Sequence, residues 1–251
     1  YENSAVVGAN LSGLTILNEQ YGLVTGDGIR RIDLKSLNNV RIKNERLLCF
    51  YNSIIYNGKV LSNDTYKDES KVKYYDVNEL IAAKEGEAPA VTELDIIQKQ
   101  KINFVLAKDG NVYTLESADN GCNIVKIKND FTLEKVFANF QPAKGPYHSS
   151  PTIGMVASET ENIIYLVSTD GAIFKYILGD SDSLKAPFIA AESGVSITAP
   201  LQLNQQSGEL YVTYTEERKD ESKIVVYSKD GKVLHTVDCG ESVPSQILFN
   251  N

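Results

Sequence analysis

The sequence has little of the residues that build metal and redox sites. It contains two histidines, three cysteines, one methionine and no tryptophan in 251 residues. Cys49, Cys122 and Cys239 allow at most one internal disulfide and form no Cys-x-x-Cys pair. His148 and His235 are too few for a three-histidine site and occur in no His-x-His or His-Glu-x-x-His motif. We therefore expect no bound metal ion and no cofactor.

Long apolar runs and basic clusters are also missing. No stretch of about 18 apolar residues occurs, so the sequence predicts no membrane-spanning helix. A net charge of −8 repels phosphate backbones, which argues against a nucleic-acid partner. There is no Gly-x-Ser-x-Gly elbow and no phosphate-binding glycine loop. The chain starts at Tyr1 without a signal peptide, and we expect that an upstream segment has been removed.

Short β-strand patterns fill the chain instead. Runs of Val, Ile, Tyr and Phe alternate with turns of Gly, Asp and Asn, while the only helical candidate is Asp76–Lys84. Four Asp-Gly pairs, which begin at Asp27, Asp109, Asp170 and Asp230, separate apolar runs. They predict hairpin turns in which both residues adopt positive φ. We interpret these aspartates as turn residues and not as catalytic carboxylates.

Internal repeats indicate the fold class. Residues 104–115 resemble residues 165–176, each with an apolar run, an Asp-Gly and an aromatic alternation. The sequence Lys-Asp-Glu-Ser-Lys occurs at Lys67–Lys71 and again at Lys219–Lys223, in both places as a predicted solvated hairpin tip. Repeat units of roughly 50 residues explain that separation and point to a propeller. The sequence predicts an all-β fold, a β-propeller of about five four-stranded blades.

We expect one propeller domain over residues 1–251, which acts as a monomer. The tail Ser242–Phe249 resembles the opening strands of the fourth and fifth blades. The ring would then be closed by pairing of the C-terminal strand with the N-terminal blade, which removes an open sheet edge. The predicted blades cover about 1–44, 45–94, 95–141, 142–192 and 193–238, and the closing strand covers 239–251.

The fourth predicted blade carries a family resemblance. Its Ser149-Ser-Pro-Thr-Ile-Gly segment and its run Asn162–Tyr176 resemble the repeat of quinoprotein-like (PQQ-repeat-like) propellers. The lack of tryptophan and of an adjacent cysteine pair places the resemblance with the non-enzymatic type, whose members act as extracytoplasmic scaffolds. The Asn, Lys, Ile and Tyr bias also resembles secreted or surface-lipoprotein propellers of Bacteroidetes. The resemblance implies an extracytoplasmic location, which is periplasmic, cell-surface or secreted.

The candidate ligand-binding residues are Tyr147, His148, Ser149 and Ser150. They precede the predicted innermost strand of the fourth blade, and such loops cluster around the central channel of a propeller. Tyr147 offers a stacking face and His148 a titratable donor or acceptor. The alternative is a plain connecting loop. His235 is predicted to be a surface residue of an outer strand.

The sequence favours a non-catalytic extracytoplasmic binding or scaffold module over an enzyme. Such a module would use a propeller face or the central channel for a protein or glycan partner. One alternative is a hydrolase acting on a glycan or phosphoester, with carboxylates at the channel mouth that sequence does not locate. Another is a structural domain of a longer surface protein.

Overall fold

The chain divides into two compact units, Tyr1–Phe104 and Val105–Asn251. The structure is a computed structural model. It describes residues 13–26, 28–43, 53–63, 70–87, 89–98, 103–119, 121–141, 154–216 and 221–242, together with 244, 247 and 249.

The described residues of the first unit form two antiparallel sheets of four strands, and each strand pairs with the next along the chain. This order needs only short turns, which is why Gly, Asn and Asp recur between the apolar runs. The first sheet comprises β1 (Gly13–Ile16), β2 (Tyr21–Gly26), β3 (Gly28–Asp33) and β4 (Asn39–Lys43), and the second comprises β5 (Ile54–Tyr56), β6 (Lys59–Asn63), β7 (Ser70–Asp76) and β8 (Val91–Gln98).

A short helix, α1 (Val77–Ala82), follows β7 and confirms the single helical prediction. Asp76 caps it, because its side chain accepts hydrogen bonds from the backbone N–H groups of Asn78 and Glu79. The same carboxylate forms an ion pair with Lys59 at 2.6 Å. Leu80 is fully buried, so the helix is held by packing as well as by its cap.

The hydrophobic core of the first unit joins both sheets and the helix. Side chains from β2, β3 and β4 pack with side chains from β6, β7 and α1 in one buried cluster. Its members are Leu17, Leu23, Ile29, Ile42, Val60, Tyr75, Leu80 and Ala83.

The described residues of the second unit form three antiparallel sheets. In the third sheet of the chain, strands again pair in sequence order, and in the fifth sheet two short strands both pair with β18. The third sheet comprises β9 (Val105–Leu106), β10 (Val112–Ala118), β11 (Gly121–Ile127) and β12 (Leu133–Phe140); the fourth comprises β13 (Met155–Ala157), β14 (Ile163–Val167) and β15 (Ile173–Ile177); and the fifth comprises β16 (Val195–Ile197), β17 (Gln202–Leu203), β18 (Leu210–Glu216), β19 (Ser222–Tyr227) and β20 (Val233–Gly240).

The fourth and fifth sheets share a buried core. A 3-10 helix at Ser181–Leu184 follows β15, and Ile189 then forms an isolated bridge with Ile173 at the free edge of that strand. The core is rich in β-branched and tyrosine side chains, as expected of stacked sheets. Its members are Ile163, Tyr165, Val167, Ile173, Ile197, Leu201, Leu203, Leu210, Val212, Tyr214, Val225 and Tyr227.

The Asp-Gly pairs lie in turns as predicted, but their predicted geometry is wrong. Gly110, Gly171 and Gly231 have positive φ, whereas none of the aspartates before them is among the described non-glycine residues with positive φ. Each glycine N–H donates to the carbonyl three residues earlier, as in a type I turn followed by a left-handed residue. Both turn residues are left-handed instead at Asn57-Gly58, between β5 and β6. Asp27 lies outside the described residues.

The architecture confirms an all-β fold of the β-propeller type. The predicted pairing of the C-terminal strand with the N-terminal blade involves residues 1–12 and most of the tail, which lie outside the described residues. Four tail residues are described, Ser242, Pro244, Ile247 and Phe249, and they contact the fifth sheet. Pro244 accepts a hydrogen bond from Thr213, and the backbone N–H of Ile247 donates to the Gln202 side chain. The single-domain assignment and the blade boundaries stay predictions.

Candidate functional site

The four candidate residues from the sequence, Tyr147 to Ser150, lie outside the described residues. The predicted site therefore stays a prediction. The described chain stops before this segment at Gln141 and resumes at Gly154. Gln141 itself belongs to a crevice in the second unit.

This crevice lies between the end of β12 and the turn that joins β14 to β15. Its volume is about 360 Å³. One wall comes from the outermost strand of the third sheet, and the other comes from the fourth sheet and the 3-10 helix after it. The lining residues are Phe137, Asn139, Phe140, Gln141, Ser168, Thr169, Asp170, Phe174 and Leu184.

Three phenylalanines and Leu184 form the apolar part of the crevice. Phe140 ends β12 and is buried, while Phe137 and Phe174 are half-buried. The rings of Phe140 and Phe174 meet edge to face, with centroids 5.7 Å apart. Such a contact adds to the burial of the rings and holds the two walls together.

The polar part of the crevice comes from the β14–β15 turn. Ser168 is buried, and its hydroxyl hydrogen-bonds to the Asp170 carboxylate. Asp170 also accepts from the backbone N–H of Ala172 at 3.2 Å. The bond from Ser168, followed by the one from Ala172, lowers the pKa of Asp170 below its ordinary value. Asp170 is therefore a carboxylate at neutral pH.

The two walls are also joined through the backbone. The N–H of Thr169 donates to the carbonyl of Gln141 at 3.0 Å. Behind Gln141 lies Gly121, with φ +124°, where an added Cβ would stand 2.5 Å from the Phe140 carbonyl oxygen. Only glycine permits this approach without strain. The crevice is thus built into the fold before any ligand arrives.

The sequence marks one wall of the crevice, but only as a turn between two strands. It does not mark the other wall. The Ser168–Gly171 turn and Phe174 were visible as part of a repeat, but nothing local marked them as a lining. Phe137 and Phe140 belong to a different sheet, and the alternation along β12 shows burial without showing the neighbour. The one signal for this wall is the aromatic spacing Phe137-x-x-Phe140 at the end of a strand.

A second polar cluster supports the β9–β10 turn. Asp109 accepts a hydrogen bond from the Tyr113 hydroxyl at 2.9 Å and forms an ion pair with Lys126 at 2.8 Å. Burial acts to raise the pKa of Asp109, but the hydrogen bonds from Lys126 and Tyr113 outweigh it and leave the pKa lowered. All three groups are satisfied by one another, which fits the predicted turn role of Asp109.

The titratable residues singled out in the sequence are dispersed. His235 lies on β20 and is exposed, which confirms the prediction for it. Cys122 is buried, and burial followed by the charge of Glu116 raises the pKa of its thiol to about 11. Cys239 is a partly exposed free thiol, and Cys49 lies outside the described residues. Within the described ranges, no group of three or more His, Cys, Asp or Glu side chains could hold a metal ion.

No helix among the described residues is long and apolar enough to cross a membrane.

The chain is similar in fold to several solved structures. Prolyl oligopeptidase B from Galerina marginata, bound to a 35mer substrate, matches with a TM-score of 0.56 and 11% identity over 90% of this chain. Its apo form matches with a TM-score of 0.55 and 11% identity over 92% of this chain. This chain spans 35% of the length of either, about a third, and such low identity shows the fold alone.

A streptogramin B lyase structure also matches, at 14% identity over 93% of this chain and 70% of its own, with a TM-score of 0.47. No curated protein matches the sequence. A family model described as "Domain of unknown function (DUF5074)" matches residues 4–250. Since that match spans nearly the whole sequence, the chain belongs to the DUF5074 family.

Proposed function

We propose that this protein is a non-catalytic binding or scaffold module of an extracytoplasmic setting, and that it holds a glycan or protein partner at the crevice between β12 and the β14–β15 turn. The crevice is the observation that carries this proposal. It combines an aromatic wall with a few exposed polar side chains at its rim, a composition typical of ligand sites.

Two features of the crevice support binding over hydrolysis. Its walls are tied by the Thr169–Gln141 hydrogen bond and the Phe140–Phe174 contact, so little ordering is needed when a ligand binds. Asp170 is the one carboxylate among the described lining residues. Glycoside hydrolysis by the common mechanisms needs a pair of carboxyl groups at the scissile bond.

The extracytoplasmic part of the proposal rests on sequence resemblance. The segments around Ser149 and Asn162–Tyr176 resemble quinoprotein-like propellers of the scaffold type, and the composition resembles secreted or surface-lipoprotein propellers of Bacteroidetes. Protease treatment of intact cells that express the natural full-length protein tests this part. The treatment is repeated on cells whose outer envelope is permeabilised while the cytoplasmic membrane stays closed. Cleavage is expected in at least one of the two preparations, and protection of the protein in both until the cytoplasmic membrane is broken would contradict this part.

A thermal-shift screen against glycans, peptides, divalent metals and nucleotides tests the binding role. A ligand at about 100 times its dissociation constant adds about 2.7 kcal/mol to stability. We expect a hit whose shift is lost in Phe174→Leu and kept in Phe188→Leu. Phe188 is a matched control, because it is also half-buried and contacts another ring, Tyr165, at 5.6 Å, but does not line the crevice.

Three results of this screen would count against the proposal. Hits that persist unchanged in Phe174→Leu would place binding outside the crevice. Conversion of a hit into product would contradict the non-catalytic role. If no ligand of any class raised the melting temperature, the binding role itself would be contradicted.

A further inference from the structure

The rim of the crevice determines which chemical groups a ligand must offer. Asn139 and Gln141 carry amides that both donate and accept, the Thr169 hydroxyl does both, and the Asp170 carboxylate only accepts. All four side chains are exposed. Hydroxyl groups match this rim, because each hydroxyl donates and accepts. A ligand that only accepts, such as a phosphate, finds no donor in Asp170. An ammonium finds an acceptor on all four side chains but leaves the donor groups of Asn139, Gln141 and Thr169 unused.

The charge of the crevice disfavours anions. No lysine or arginine occurs among the described residues that line it, and Asp170 is its one ionisable side chain. A carboxylate or phosphate in the crevice would therefore meet a negative charge with no cation to offset it. The net charge of −8 adds to this repulsion at long range. A neutral ligand therefore fits better than an anion.

The aromatic wall favours a ligand with one apolar face. A pyranose ring carries C–H groups on its faces and hydroxyl groups around its edge. Phe174 is half-buried, so part of its ring is open to pack against such a face. The volume of about 360 Å³ is near the lower end of the range for ligand sites, which suits one ring better than an extended chain.

We propose that the crevice binds a single neutral pyranose ring, such as the terminal hexose of a glycan. This inference rests on the proposed function, since it names the ligand class of the same crevice. The ring packs one face on Phe174, donates a hydroxyl hydrogen to Asp170, and exchanges hydrogen bonds with the amide of Asn139.

Titration of the full chain with methyl hexosides of glucose, galactose and mannose tests the inference, with saturation-transfer NMR as the readout. Methyl glucuronide is the matched anionic ligand, since it differs from methyl glucoside only in its carboxylate. We expect at least one neutral hexoside to bind in the millimolar range, and the glucuronide to bind at least 10-fold more weakly than the glucoside if glucoside is a ligand. In Asp170→Asn the ratio between the affinities for the glucoside and for the glucuronide should become smaller, because the negative charge of the crevice is removed.

Two variants and one control locate the site. Phe174→Leu and Asp170→Asn should each weaken hexoside binding about 10-fold. Asp130→Asn should leave it unchanged. Asp130 is a matched control, because it occupies the equivalent position of the β11–β12 turn, where it accepts from Thr132, but does not line the crevice.

The possible failures separate the inference from the proposed function. Hexoside binding that is as strong in Phe174→Leu and Asp170→Asn as in the control Asp130→Asn would overturn the inference. Absence of hexoside binding, together with binding of a peptide or protein that Phe174→Leu removes, would overturn the inference and support the proposed function. If no ligand of any class bound at the crevice, both would be overturned.

Discussion

Phe131 occupies a backbone position that glycine holds in three related turns. It has φ +63° in the β11–β12 turn, and its N–H donates to the Lys128 carbonyl as the glycine N–H does in the Asp-Gly turns. A left-handed conformation costs a non-glycine residue about 1–2 kcal/mol. We expect Phe131→Gly to raise the free energy of unfolding by about 0.5–1 kcal/mol, measured by urea denaturation, because relief of strain outweighs the lost ring contacts.

The reverse substitution is the control. Gly110 has φ +74°, and no heavy atom beyond its two chain neighbours lies within 4 Å of an added Cβ, so Gly110→Ala tests the conformation alone. It should lower the free energy of unfolding by about 1 kcal/mol. A stabilised Gly110→Ala would show that the left-handed strain is not the controlling factor.

Two buried serines differ in their hydrogen bonding. Ser62 is 1% exposed, and its hydroxyl has no hydrogen-bond partner among the described residues. Ser168 bonds to Asp170 and to the carbonyl of Ala172. We expect Ser62→Ala to leave the melting temperature unchanged or slightly raised, and Ser168→Ala to cost about 1–2 kcal/mol. Equal losses from the two substitutions would refute this account.

At this scale, sequence predicted what is local. The turn role of Asp109, Asp170 and Asp230 was predictable, because the glycine after each needs only its own backbone conformation. The turn type was not predictable, because it depends on the number of loop residues between the last paired residues of the two strands. The crevice was out of reach as well, since Phe140 and Phe174 meet only after two sheets have packed.

The turn between β3 and β4 is an element whose stability depends on pH. Hydrogen bonds from the backbone N–H of Ser36 and the side chain of Gln20 lower the pKa of Asp33 from its ordinary 3.8 to about 2. A carboxyl with a lowered pKa stabilises the fold above its ordinary pKa, and that contribution is lost as pH falls towards the folded value.

Asp33→Asn keeps an acceptor but cannot titrate, so it isolates this effect. We expect the stability difference between the parent and Asp33→Asn to be constant above pH 5 and to shrink between pH 4 and pH 2. Chemical denaturation of both proteins across this range measures it. Parallel curves down to pH 2 would contradict the assignment.

The described tail residues act as an added element of the fifth sheet. Phe249 meets the Tyr211 ring edge to face at 5.0 Å, and the N–H of Ile247 donates to Gln202 at 2.8 Å. Phe249→Ala should therefore lower the free energy of unfolding by about 1–2 kcal/mol. Leu234→Ala on β20 is the control, because Leu234 is 44% exposed and its loss should change stability by less than about 0.5 kcal/mol.

Prediction of elements succeeded where the pattern was self-contained. Helix α1 was visible because Asp76 caps it and Gly86 follows closely, and both signals lie within a few residues. The similarity of the tail to other blade openings predicts a strand, and this stays a prediction because most of the tail lies outside the described residues. The contacts of the tail with Gln202 and Tyr211 were not predictable, because residues far apart in sequence carry no local mark of their pairing.

At the scale of the whole molecule, repetition predicted the fold class. Units of roughly 50 residues, each with several short strands, imply sheets that cannot bury their apolar faces alone. The described residues form five antiparallel sheets, as such repeats predict. Within each unit the apolar faces of neighbouring sheets are buried together, in the clusters that contain Val60 and Val212. Repetition does not reveal function, because blades share core residues and differ in their loops and edges.

The single-domain hypothesis makes a thermodynamic prediction that two matched substitutions can test. Val60 on β6 and Val212 on β18 are both fully buried, one in each compact unit. Val→Ala at either site removes two methyl groups from a core and should cost about 2 kcal/mol. If residues 1–251 unfold as one domain, calorimetry should show one transition that both variants shift downwards by a similar amount. Two transitions, with Val60→Ala lowering one and Val212→Ala the other, would show that the units unfold independently and that the chain comprises two domains.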